Sequence, residues 1–139
     1  MWFYENKEFD GIIADDVIGF VYLITRIDIN KKYIGKKLFR FSKTKQVKGK
    51  KKKIKVASDW ESYYGSNKKL IEDVENFGVE LFRREILHLC KSKGICSYLE
   101  TKEIILRDAL LLDTYYNEWI SMKVSKSHLK DLINEKRKV

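Results

Sequence analysis

The chain has 139 residues, 44% of them hydrophobic, which suits one compact domain and excludes a disordered basic tail. It carries 29 Lys and Arg against 20 Asp and Glu, a net charge of +9. No apolar run is long enough to cross a bilayer, and the first residues lack the basic start and apolar stretch of a signal peptide. We therefore expect a cytoplasmic protein without a membrane partner, in which Cys90 and Cys96 are reduced thiols rather than zinc ligands.

The positive charge is concentrated in one segment. Thirteen Lys or Arg residues and no Asp or Glu lie between Lys31 and Ser58, so the rest of the chain keeps a net charge of −4 once these thirteen are taken from +9. A local excess of this kind indicates contact with a polyanion, and a phosphate backbone is the commonest one. A solvated lysine loop without a ligand is the alternative.

The first elements along the chain predict a short hairpin. Residues 1–18 are acidic and irregular and are interpreted as an N-terminal extension. Residues 19–25 are rich in β-branched and aromatic side chains and predict a strand. Asp28-Ile29-Asn30 supplies turn residues, and residues 32–35 predict a second strand paired with the first.

The remaining elements predict a loop, a third strand and three helices. The lysine-rich stretch at about 40–57 has no apolar period and predicts a mobile loop. Ser58 or Asp59 could cap a helix, and Ser66 is a second possible cap. Apolar residues at helical spacing predict a helix from Ser66 that ends at Gly78, and a longer helix over 97–113. Residues 81–89 predict a third strand with imperfect alternation, and 127–138 a surface helix with a basic tip.

These elements predict an α+β fold, a small three-stranded antiparallel sheet flanked by helices. Three segments follow: the acidic extension at 1–18, a domain over 19–120 that contains the lysine-rich loop, and a basic C-terminal helix within 121–139.

Two tyrosines on the predicted hairpin are fixed by its geometry. If the turn centres on Ile27 and Asp28, Tyr22 and Tyr33 lie directly opposite one another on one face of the sheet. On spacing alone, a cross-strand aromatic pair that packs a core explains them.

The sequence around these tyrosines resembles the GIY-YIG endonuclease family, in its homing and phage-type members. Gly19-Phe20-Val21-Tyr22 matches the first motif with Phe20 in place of the expected glycine, and Tyr33-Ile34-Gly35 matches the second motif. The residues that the family places downstream follow in order: a basic residue, a His or Tyr near a helix, a third strand, a helix glutamate and an asparagine. In this chain they are Arg40, Tyr63 or Tyr64, the strand near 82–89, Glu100 and Asn117.

The resemblance implies a metal-dependent DNA endonuclease of phage or mobile-element type. A hairpin tyrosine would activate water, Glu100 would hold Mg²⁺ or Mn²⁺, and Asn117 would orient the glutamate. Of the two adjacent tyrosines we favour Tyr64 in the position of the family's His or Tyr, and we expect Trp60 in the core.

The choice of Glu100 also follows from helix spacing. Glu103 has Arg107 four residues later, an ion pair that explains it without a catalytic role. Glu100 has no cation at those offsets, so in a nuclease it is the better metal ligand. One carboxylate completed by waters and phosphate oxygens suits a hard cation.

Arg40 is the default residue to bind the reacting phosphate, because it is the only arginine between Tyr33 and Arg83. Lysines could take its place or contact the DNA backbone: Lys36, Lys37, Lys43, Lys50, Lys51, Lys52 and Lys53. The alternative function is a non-catalytic nucleic-acid-binding protein that uses the lysine-rich loop, and a binder of an acidic protein is a weaker one. Either a monomer or a homodimer fits the sequence.

Overall fold

The computed structural model describes residues 1–137 and shows an α+β fold with a five-stranded sheet. Its strands are β1 (Trp2–Tyr4), β2 (Lys7–Glu8), β3 (Gly19–Arg26), β4 (Lys31–Leu38) and, after two strands of a separate hairpin, β7 (Phe82–Cys90). Their order across the sheet is β2-β1-β7-β3-β4, so β7 is central, β3 lies between β7 and β4, and β4 is an edge strand. The predicted hairpin and third strand are confirmed as β3, β4 and β7.

The predicted three-stranded sheet is wrong, because the N-terminal residues add two strands. β1 pairs parallel to β7, and β2 pairs antiparallel to β1. The turn between them is two residues long, with Glu5 (φ 52°) and Asn6 (φ 64°) both in the left-handed region. Such turns match the twist of a hairpin. The sequence pattern does not predict these strands, because the acidic residues of the segment obscure the alternation of Trp2 and Tyr4.

The predicted mobile loop at 40–57 is also wrong. It forms a two-stranded antiparallel hairpin of β5 (Arg40–Val47) and β6 (Lys50–Ala57), separate from the main sheet. Its two-residue turn is Lys48-Gly49, again with both φ angles positive. The run of lysines shows no apolar period because the hairpin has almost no buried face: only Ile54 and Val56 in β6 are half-buried.

The helices begin and end near the predicted residues, with two differences. Helix α1 (Lys68–Phe77) is capped by Asn67, whose Oδ1 accepts a hydrogen bond from the Leu70 N–H at 3.0 Å, and not by Ser66. Helix α2 (Lys93–Leu106) starts after Ser92 and stops seven residues before the predicted end.

That early stop is a Schellman-type end. Asp108 takes a left-handed conformation (φ 53°), and the Ala109 N–H donates to the Ile104 carbonyl at 2.9 Å. The apolar residues that follow α2 continue the helical spacing, so the sequence pattern predicts a helix that extends beyond the end of α2. A 3₁₀ turn (Lys126–Leu129) and α3 (Lys130–Arg137) end the described chain. Lys138, the predicted last helical residue, lies outside the described residues.

The core has two parts, one on each face of the sheet. One face carries Phe20, Tyr22 and Ile24 against Trp2 and Trp60, so Trp60 is in the core as predicted. On the other face, residues of α2 pack over the sheet. No helix among residues 1–137 is long and apolar enough to cross a membrane.

Strand β7 contains a bulge that explains its imperfect alternation. Val21 of β3 pairs with His88, yet its neighbour Tyr22 pairs with Ile86, so Leu87 is left as the extra residue.

Candidate active site

The two hairpin tyrosines share a face of the sheet but do not lie directly opposite one another. Tyr22 is paired with Gly35, and Tyr33 is paired with Ile24. The loop between Arg26 and Lys31 has four residues and centres on Asp28 and Ile29, one residue later than predicted. This shift moves the ladder by two residues, so the face is kept and the tyrosines become diagonal neighbours with ring centroids 6.1 Å apart.

Gly35 leaves the space that the Tyr22 ring fills. A Cβ built on Gly35 would overlap the Tyr22 hydroxyl and ring carbons. The glycine of the second motif is therefore needed because the phenol of the first motif lies across its Cα.

The two phenols differ in access to solvent. Tyr22 is fully buried, and its hydroxyl has no hydrogen-bond partner within residues 1–137. Burial raises the pKa of Tyr22 well above its ordinary value, and the neighbouring Tyr63 and Tyr33 add to the rise. Tyr33 is half-buried, and its hydroxyl is 3.2 Å from Ser66 Oγ. Burial also raises the pKa of Tyr33, and Glu100 adds to this effect, whereas the Ser66 hydrogen bond opposes it.

The third tyrosine beside this pair is Tyr63, and not Tyr64. The Tyr63 ring lies edge-on to Tyr22 with centroids 5.9 Å apart. Tyr64 instead lies against Arg84, whose guanidinium carbon is 4.1 Å from the ring centroid. Arg84 is buried and donates through Nη1 to the carbonyls of Glu61 and Tyr63, both at 2.9 Å. Arg84 thus fixes the backbone that carries Tyr63.

The two glutamates of α2 have the surroundings that helix spacing predicts. Glu103 accepts hydrogen bonds from Arg107 Nε and pairs with His88 Nε2, both at 2.8 Å, so its predicted ion pair with Arg107 is confirmed. Glu100 has no hydrogen-bond or ion-pair partner among the described residues. Burial raises the pKa of Glu100, and the nearby Lys36 ammonium opposes the rise.

Glu100 and Tyr33 open into one cavity of about 340 Å³ beside the edge strand β4. Lys36 also lines this cavity, and its Nζ donates to Ser97 Oγ at 2.7 Å. Ser97 lies three residues before Glu100 on α2, so the ammonium is held on the side of the helix that carries the carboxylate. The cavity therefore combines the phenol of Tyr33, the ammonium of Lys36 and the carboxylates of Glu100 and Glu118, and Glu100 is unpaired within residues 1–137.

Asn117 lines the same cavity but uses its amide on the backbone of β4. Its Oδ1 accepts from the Ile34 N–H at 3.0 Å, and its Nδ2 donates to the Ile34 carbonyl at 2.8 Å. Together with the bonds of Lys32 to Thr114 and Tyr116, this contact covers the outer edge of the sheet.

The other predicted basic residues lie away from this cavity. Arg40 begins β5, and its Nη2 donates to the Ala14 carbonyl at 3.2 Å. Lys37 pairs with Asp59 at 2.6 Å, with its Nζ 4.1 Å from the centroid of the Tyr63 ring. The remaining predicted lysines are exposed on the β5–β6 hairpin: Lys43, Lys50, Lys51, Lys52 and Lys53.

Residues 2–120 match the family model described as "Putative endonuclease segE, GIY-YIG domain". The chain belongs to the GIY-YIG endonuclease family. Searches of curated proteins and of solved structures gave no match. Membership indicates nuclease activity, with DNA as the substrate.

GIY-YIG nucleases generally depend on a divalent metal. Within residues 1–137, no group of three or more His, Cys, Asp or Glu side chains could hold an ion. Two carboxylates, Glu100 and Glu118, line the cavity. A site with one or two carboxylates fits Mg²⁺, which keeps several waters and takes further oxygens from phosphate. Glu100, without a competing partner and facing a cavity, is suited to that role.

The fold brings further residues to this GIY-YIG site that the sequence pattern does not favour, among them Tyr63, Ser66, Glu118 and Trp119. The pattern favours Tyr64 over Tyr63, and the irregular segment that holds both gives no period to separate them. Ser66 and Trp119, which also line the cavity, give no signal because they belong to neither motif.

Proposed function

We propose that the protein is a metal-dependent DNA endonuclease that hydrolyses phosphodiester bonds at the cavity beside β4. In this proposal Glu100 holds Mg²⁺ or Mn²⁺, Tyr33 activates the attacking water, and Lys36 contacts the reacting phosphate. Tyr22 and Tyr63 position Tyr33 from the buried side, and Asn117 holds the strand that carries it.

The observation that carries the proposal is the contrast between Glu100 and Glu103. The two carboxylates lie three residues apart on α2, yet Glu103 is saturated by His88 and Arg107 whereas Glu100 has no partner among the described residues. A partly buried carboxylate whose pKa is raised is destabilising to the fold, so a structural role does not explain it. Binding a cation is the role that fits.

The chemistry follows from what surrounds Tyr33. The phenol, once deprotonated, accepts the proton of a water whose oxygen attacks the phosphorus. The bond from phosphorus to the 3′ oxygen breaks, and that oxygen takes up a proton from solvent. When bound, the metal supplies stabilisation of the charge on the phosphate and on the leaving oxygen.

Tyr33 is a better candidate for this base than Tyr22. Tyr33 lines the cavity and is half-buried, whereas the Tyr22 hydroxyl is buried against Gly35. The raised pKa of Tyr33 disfavours phenolate at neutral pH, so cations must offset this when DNA is bound. Lys36 and the metal on Glu100 are the two that the cavity would place there.

The β5–β6 hairpin supports the contact with DNA. It carries nine Lys or Arg residues and no Asp or Glu, and Lys45 lies directly opposite Lys52 in the ladder. Like charges opposite one another are destabilising, and a phosphate backbone relieves this repulsion. We include Lys43 and residues 50–53 in the DNA contact, with Arg40 at the base of the hairpin.

The decisive experiment compares Glu100→Gln with Glu103→Gln on supercoiled plasmid in Mg²⁺. Both substitutions replace a carboxylate of α2 by a neutral isostere. We expect the wild type and Glu103→Gln to relax or linearise the plasmid, and Glu100→Gln to lose at least about 100-fold in rate. Equal cleavage by the two variants would remove Glu100 from the mechanism. A wild type that binds the plasmid without cutting it would support the non-catalytic alternative.

A further inference from the structure

Trp119 is the most conspicuous side chain of the cavity that the proposed chemistry does not use. It is 71% exposed, although an indole is among the side chains that gain most from burial. The other two tryptophans, Trp2 and Trp60, are buried in the core. An exposed indole that lines a polar cavity is suited to contact a ligand, because its ring is apolar and its N–H is a hydrogen-bond donor.

The position of Trp119 is fixed relative to the proposed reaction centre. It lines the same cavity as Tyr33, Lys36 and Glu100. Two residues earlier, Asn117 binds both backbone groups of Ile34, which is adjacent to Tyr33. The segment that carries Trp119 is therefore tied to the strand that carries the phenol.

We propose that Trp119 is a base-stacking subsite that holds one unpaired nucleobase of the DNA next to the phosphate being cut. This inference rests on the proposed function, because it assumes that phosphate enters the cavity at Lys36 and Glu100. Every base has a π-face, so an aromatic platform beside a phosphate site can hold a displaced base without reading its identity. The subsite thus favours DNA that is single-stranded or locally opened.

The three tryptophans allow a direct test by fluorescence in EDTA, where cleavage cannot occur. A 12-mer of thymidine is compared with a 12-mer of the same length made of abasic tetrahydrofuran units, which keeps the phosphates and lacks the bases. We expect the thymidine strand to quench the exposed tryptophan and the abasic strand to leave it unquenched. Binding of both strands is followed independently by anisotropy of a label on the DNA.

Variants extend the test. Trp119→Ala should lose the quenching and bind the thymidine strand about 5- to 150-fold more weakly, the range expected when one stacked base loses its platform. Trp119→Phe should retain part of the affinity, and Leu111→Ala, which removes an 80% exposed apolar side chain that does not line the cavity, should leave it unchanged. Equal quenching by both strands, or thymidine binding that Trp119→Ala leaves intact, would overturn the subsite.

Two controls separate this inference from others. Plasmid cleavage in Mg²⁺ is measured on the same preparations, so the proposed function can stand while the subsite fails. Acrylamide should quench Trp119 in the free protein to the same extent at every protein concentration. Protection that grows with concentration would show that a second copy covers this side chain, and would also overturn the proposal.

Discussion

Gly35 and Tyr22 lie directly opposite one another across the β3–β4 ladder, and the Tyr22 ring occupies the space where a side chain at position 35 would stand. The glycine and the tyrosine of the two motifs are thus parts of one contact. Tyr22 in turn borders Tyr33 and Tyr63, so the contact also affects where the Tyr33 phenol lies.

Gly35→Ala should therefore destabilise the fold by about 1–3 kcal/mol, the usual cost of overpacking a closed site. Urea denaturation measures the change in the free energy of unfolding. The second substitution Tyr22→Leu, which removes the ring, should recover part of the loss in a double-mutant cycle. Additive effects of the two substitutions would show that they do not share this contact.

Glu100→Gln and Glu103→Gln should change stability in opposite directions at pH 7. Glu100 has a raised pKa in the folded protein, so its ionisation as pH rises through and above the ordinary carboxyl value weakens the fold, and the neutral isostere should raise the Tm. Glu103 has a lowered pKa because of Arg107 and His88, so its contribution is present at neutral pH and is lost as pH falls. Glu103→Gln should lower the Tm.

We expect each shift to be about 2–4 °C, which is what ~1 kcal/mol produces in a domain of this size. Differential scanning calorimetry at pH 7 and at successively lower pH checks the sign of each Tm difference and its decrease as the carboxyls take up protons. A Glu100→Gln protein less stable than wild type at pH 7 would mean that the fold needs this carboxylate.

The pH dependence of cleavage tests the role of Tyr33. Its pKa is raised by burial, so the phenolate fraction is small at neutral pH and increases about tenfold for each pH unit. Under single-turnover conditions the rate should rise steadily from pH 6 to pH 9, and Tyr33→Phe should lose the rise along with most of the rate. Tyr22→Phe should be slower but keep the slope, and a flat profile for the wild type would exclude Tyr33 as the base.

Lys36→Ala should lower the cleavage rate about 10- to 100-fold, because the Lys36 ammonium borders both the cavity and Glu100. Lys36→Arg should restore part of the rate. Arg40→Ala should lose only affinity for DNA, since the Arg40 guanidinium is bound to Ala14 outside the cavity. Plasmid relaxation over a range of enzyme concentrations separates rate from binding. A larger rate defect in Arg40→Ala than in Lys36→Ala would reverse this assignment.

The hairpin lysines should govern the salt dependence of binding. Changing Lys51 and Lys53 to serine removes charge from one face of the β5–β6 ladder, and changing Lys50 and Lys52 removes it from the other. The magnitude of the slope of log affinity against log salt concentration should fall by about 0.9 for each phosphate that the variant no longer neutralises. The variant that removes charge from the face in contact with DNA should show the larger decrease. Filter binding in Ca²⁺ measures it. Lys126→Ser, outside the hairpin and the cavity, is the control, and an equal effect there would indicate diffuse charge rather than a hairpin contact.

The sequence predicts those elements whose residues have a buried face. Strands β3, β4 and β7 and the two main helices have such faces, and their apolar residues show it. The β5–β6 hairpin has almost none, so its strands are recognised only from the Lys48-Gly49 turn. The Glu5-Asn6 turn likewise indicates the β1–β2 hairpin. In both hairpins the many charged residues obscure the turn and the strands that flank it.

For the candidate site, residue spacing predicts side-chain contacts correctly where the residues lie on a helix, because the helical repeat determines which side chains are neighbours. Glu103 is paired with Arg107 as predicted, which leaves Glu100 as the free carboxylate of the two. Tyr63 and Tyr64 lie between the 3₁₀ turn Trp60–Ser62 and α1, and no repeat in this segment indicates which ring faces the β3–β4 hairpin. Lys36 reaches the cavity because β4 continues past Gly35, and that depends on strand pairing rather than on the motif itself.

The amide of Asn117 has a consequence for where the DNA is cut. It holds Ile34, the residue between Tyr33 and Gly35, and it stands two residues before Trp119. The two Asn117–Ile34 hydrogen bonds therefore fix the distance between Trp119 and Tyr33. A base held by Trp119 and a phosphate beside Tyr33 would then be a fixed distance apart. Cleavage should therefore occur a constant number of nucleotides from the displaced base, whatever DNA sequence the β5–β6 hairpin contacts.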